Sequence, residues 1–62
     1  MSSKVDIIIA KVVKGELDIQ TACATLGVTV TWLLNEMVER GYIREALMIA
    51  KRLNIFLSIR DW

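Results

Sequence analysis

The sequence predicts an all-α fold: a compact helix-turn-helix bundle of about four short helices. Three observations carry this. Apolar residues recur at helical spacing in four successive stretches. Glycines stand at 15, 27 and 41, where three of those stretches end. No Pro-rich or Ser-rich linker, repeat or low-complexity segment divides the 62 residues, so the chain reads as one domain, 1–62.

The first stretch, "SSKVDIIIAKVVKGE", places Val5, Ile8, Ile9, Val12 and Val13 on one helical face. Ser3 and Asp6 have the spacing of a capping box, and Gly15 follows Lys14 where a C-terminal glycine belongs. The β-branched run "VDIII" leaves a strand open as the alternative. In "LDIQTACATLG", Asp18 caps a short helix whose inward stripe is Ile19, Ala22, Cys23 and Leu26, closed by Gly27. In "VTVTWLLNEMVERG", Thr29 is the expected N-cap. Val30, Leu33, Leu34, Met37 and Val38 form a continuous stripe, with Thr31, Trp32, Asn35, Glu36 and Glu39 on the other side. A fourth helix is expected in "IREALMIAKRLN", with Ile43, Ala46, Leu47, Ala50 and Leu53 in register. Met48 and Ile49 widen its apolar surface, as in helices buried on two sides. The tail "IFLSIRDW" alternates like a strand and also fits a helical extension.

Composition narrows the function. A chain this short buries only about 60% of its unfolded surface, and disulfides, metals or a partner usually make up the deficit. One cysteine and no histidine exclude an internal disulfide and a zinc site. No nucleophile–histidine pair, Gly-rich phosphate loop or paired-carboxylate cleft is legible, so an enzyme is not expected, nor a cofactor. The longest apolar run, Ala46 to Ala50, is far too short to span a bilayer. The N-terminus has no signal-peptide pattern, and a cytoplasmic protein is expected. The 55% apolar content then points to a homodimer. Residues 43–62 are the expected dimerisation segment, through Leu47, Met48, Ile49, Leu53, Phe56 and Leu57.

The second and third stretches meet the demands of a bihelical DNA-reading unit. Ala22 and Cys23 are small where the helices cross. Gly27, four residues after Cys23, supplies the elbow, and Leu33, six after the glycine, packs back. The match fails at Glu36, nine after the glycine, where an apolar residue is normal and where Met37 or Leu34 can substitute. Charge is uneven along the chain: +2 over residues 1–15, −4 over 16–39 and +3 over 40–62. Phosphate contacts would therefore come from Lys11, Lys14, Arg40 and Arg44, outside the acidic bihelical segment. Base contacts would come from Thr29, Thr31, Trp32 and Asn35 at the start of the third helix.

Residues 10 to 43 resemble a family of small prokaryotic, often archaeal, helix-turn-helix proteins regarded as antitoxins of PIN-domain ribonuclease toxins. The resemblance rests on Gly15, Ala22 with Cys23, Gly27, Thr29, Leu33 with Leu34 and Met37, and Glu39-Arg40-Gly41. It departs after Gly41. It implies a transcriptional regulator that binds double-stranded DNA, with autorepression and a toxin protein as a further partner. The competing expectation, favoured by the acidic middle segment, is a protein-interaction module that keeps the bihelical fold without touching DNA.

Overall fold

The computed structural model describes residues 3–55 and consists of four helices: α1 (Lys4–Val13), α2 (Ile19–Leu26), α3 (Val30–Glu39) and α4 (Ile43–Arg52). No strand occurs among the described residues, so "VDIII" is helical. At eight to ten residues each, these helices are too short to persist alone. Their ends and their burial define them.

Three of the four starts are capped by side chains. Ser3 and Asp6 form the reciprocal capping box expected for α1. The Asp18 carboxylate accepts from the Thr21 N–H and hydroxyl, at 3.2 and 2.6 Å. The Thr29 hydroxyl oxygen accepts from the Trp32 N–H at 3.1 Å. The start of α4 has no side-chain cap, since Tyr42 lies directly after the reversal that ends α3.

The four helix ends share one geometry. Each is followed by a residue with positive φ, namely Gly15, Gly27, Gly41 and Asn54. The next N–H then reaches back five residues: Glu16 to Lys11, Val28 to Cys23, Tyr42 to Met37 and Ile55 to Ala50. This bond satisfies carbonyls that a helix end leaves open. Gly27, at φ 69°, therefore makes the elbow of α2–turn–α3.

Packing runs between sequence neighbours, α1 on α2, α2 on α3 and α3 on α4. The core draws on every helix: Ile8, Ile9 and Val12; Ile19, Ala22 and Cys23; Leu33, Leu34 and Met37; Ala46 and Ala50. Leu33, Leu34 and Met37 are fully buried, while Glu36 is half-buried and pairs with Arg40. No polar side chain is buried among the described residues. Burial pushes the Cys23 thiol upward, which disfavours the reactive thiolate.

The fourth helix departs from expectation. Ala46 and Ala50 are buried and Leu47 is half-buried, but Ile43 and Leu53, placed on the same stripe, are 45% and 37% exposed. Helical spacing assigns a side of the helix, but the neighbouring helices cover only the middle of that side. Met48, at 53% exposure, is likewise uncovered within the chain.

The elbow yields a test. A Cβ added at Gly27 meets no atom within 4 Å, so substitution there costs backbone strain alone. Gly27→Val should lower stability by about 1–3 kcal/mol. Gly27→Asn should lower it much less, because Asn tolerates the left-handed region, as Asn54 already does in this chain. Chemical denaturation of the two variants separates these outcomes, and equal losses would exclude a strain mechanism.

Candidate nucleic-acid interface

The fully buried ridge of α3 fixes its rotation, which leaves Thr31, Trp32 and Asn35 on the solvent side of its first two turns. Trp32 is 41% exposed. Thr31 and Asn35 make no side-chain hydrogen bond among the described residues, so their polar groups are open to an incoming partner. Thr29 is exposed as well, but its oxygen is engaged in capping, and its hydroxyl hydrogen remains as a donor. The four residues selected for base contact thus lie together at the start of α3.

The candidate phosphate contacts divide into two groups. Lys11 is exposed on α1, Lys14 at its C-cap and Arg44 at the start of α4. None of the three has a carboxylate within 4.0 Å among the described residues. Arg40 differs. Its Nε donates to Asp6 Oδ1 of α1 at 2.5 Å, and another guanidinium nitrogen donates to Glu36 Oε1 at 2.9 Å and to the Glu36 carbonyl at 3.2 Å. One guanidinium is shared between two carboxylates, so this trio carries a net charge of −1. Arg40 is therefore a tie between α1 and the end of α3 and contributes no uncompensated positive charge to this face.

Half of this tie was open to sequence reasoning. Glu36 and Arg40 have the i, i+4 order that favours a pair on one helix. Asp6 is 34 residues from Arg40, and no local pattern joins them. The expected dimer contacts are dispersed: Met48 points to solvent, Leu47 and Ile49 are half-buried, and Leu53 lies at the end of α4. Phe56 and Leu57 lie outside the described residues. Three or more metal-ligating side chains come together nowhere among the described residues, and no described helix is long and apolar enough to cross a membrane.

The tie predicts a pH dependence. Hydrogen bonding from Arg40, with further hydrogen bonds from Ser3, holds the Asp6 carboxyl below its ordinary value of 3.8. A depressed carboxyl contributes stability that is present above its unfolded value of about 3.9. That stability is lost as pH falls through the lower folded value. Asp6→Asn keeps a carbonyl acceptor for the Ser3 N–H and removes the charge. The variant should melt below wild type at neutral pH, and the gap should close in acid below about pH 4. Melting curves across this range check it. A gap that persists unchanged in acid would show that the carboxylate charge is not the source.

No family model matches this chain, and no curated protein or solved structure matches it.

Proposed function

We propose that this protein is a DNA-binding transcriptional regulator that acts as a homodimer. The observation that supports the reading most is the rotation of α3. Its apolar ridge is wholly buried, while Thr31, Trp32 and Asn35 face outward from its first two turns with no competing side-chain hydrogen bond among the described residues. The first turns of a recognition helix are where base edges are read in the major groove. Asn pairs with adenine, and the Thr methyl packs against the thymine methyl. Lys11, Lys14 and Arg44 supply the electrostatic grip, and Arg40 holds α1 against α3. The resemblance over residues 10–43 makes autorepression of an antitoxin type the form this regulation takes, with a toxin protein as a further partner.

A second reading draws on the Arg40 tie. The segment from Glu16 to Glu39 has four acidic residues and no basic one, and the cation at its edge is already shared by two carboxylates. On this reading the face around Trp32 binds a protein, and DNA is not a ligand.

Mobility-shift titration on the DNA flanking the protein's own gene distinguishes the two. For a DNA reader, Asn35→Ala should weaken binding to the preferred sequence by about 1–3 kcal/mol. It should leave non-specific binding nearly unchanged, because base contacts specify and phosphate contacts position. Arg44→Ala should weaken binding to every sequence and flatten the salt dependence by about one phosphate contact. Negligible affinity of wild type at about 50 mM salt, where phosphate contacts are strongest, would reject DNA binding.

A further inference from the structure

A groove of about 310 Å³ lies between the α1–α2 connection and the C-terminal end of α4. Its walls include Leu17 and Ile19 on one side and Ile49 and Leu53 on the other. Two charged residues also line it, Asp18 and Arg52. They form no ion pair with each other within the chain, although they share one groove.

We propose that a second copy of this chain occupies this groove about a two-fold axis, each Arg52 meeting the partner's Asp18. The inference rests on the homodimer of the proposed function and names the surface that forms it. A two-fold interface presents the same patch from both sides, so the patch must complement itself. A groove with one acid, one base and apolar walls meets that requirement, because the axis exchanges the charges and pairs each with its opposite. Two like charges would not.

The local chemistry agrees. Thr21 donates two hydrogen bonds to the Asp18 carboxylate, which fixes its position and holds it ionised, below its ordinary carboxyl range. A carboxylate so held keeps lone pairs for a guanidinium. Arg52 is exposed and has no carboxylate within 4.0 Å among the described residues. Leu53, 37% exposed at the groove, is the apolar residue that enters the partner's groove. Burial of these leucines supplies the apolar area that a 62-residue chain without a disulfide lacks. The interface thus sets the end of α4 against the partner's α1–α2 connection, and the outward face of α4 around Met48 stays outside it.

Sedimentation equilibrium of the full chain without DNA tests this. Wild type at micromolar concentration should sediment at twice the 7.0 kDa chain mass. Arg52→Asp places two carboxylates opposite one another and should weaken the dimer by at least about tenfold. Asp18→Arg should do the same with two cations, and an equimolar mixture of the two variants should regain the dimer, because both cross-pairs re-form with reversed sign. Asp18→Asn keeps the α2 cap and should fold like wild type while dimerising more weakly, which decides the matter if Asp18→Arg fails to fold. A wild type that remains at 7.0 kDa overturns the proposal. A dimer indifferent to Arg52→Asp also overturns it, and DNA binding, measured separately by mobility shift, would be unaffected by that result.

Discussion

The dry ridge formed by Leu33, Leu34 and Met37 is the constraint on which the other parts depend. Helix α3 contacts both α2 and α4, and these three side chains are fully buried between them. Burying a side chain of this size contributes about 1.5–3 kcal/mol. None of the four helices would persist alone at its length, so α3 is the surface on which α2 and α4 become helical. The ridge also sets the rotation of α3 about its axis. Whatever faces outward at Thr31, Trp32 and Asn35 does so because the opposite side cannot turn away from the core.

The tie from Arg40 to Asp6 and Glu36 adds little energy at this exposure, since water screens exposed ion pairs. Its effect is on charge. It converts the nearest cation to α3 into part of a compensated trio, so the uncompensated positive charge lies on the outer faces of α1 and α4. On the DNA-binding reading proposed above, affinity for a polyanion and discrimination by α3 would be carried by different helices. A mutation can alter one property and spare the other.

Much of the fold was legible because its instructions are local. Ser3, Asp18 and Thr29 stand directly before apolar periodic runs, and each proves to be an N-cap. Gly15, Gly27 and Gly41 mark three helix ends through a backbone requirement that few other residues meet. The buried positions of α1, α2 and α3 follow from their spacing alone. Local pattern was insufficient where the outcome depends on which neighbour arrives. Ile43 and Leu53 have the register of core residues but no helix covers them, and the pairing of Asp6 with Arg40 spans 34 residues. The start of α3 was legible as a candidate site because exposed polar residues opposite an apolar ridge are visible in one helical period. The groove was not, because its walls come from three helices.

Packing that is heaviest between successive helices has a further consequence, for kinetics. Each α1–α2, α2–α3 and α3–α4 contact closes a short loop, and closing short loops costs little entropy. Chains rich in such local contacts cross the folding barrier in microseconds to milliseconds. The absence of proline removes the slow isomerisation that delays other small proteins by tens of seconds. The one side-chain hydrogen bond between distant parts of the sequence among the described residues, from Arg40 to Asp6, has no need to form early, since sequential docking of the helices already delivers its two ends. A chain with this contact pattern reaches its native state within the time a ribosome takes to add a single residue.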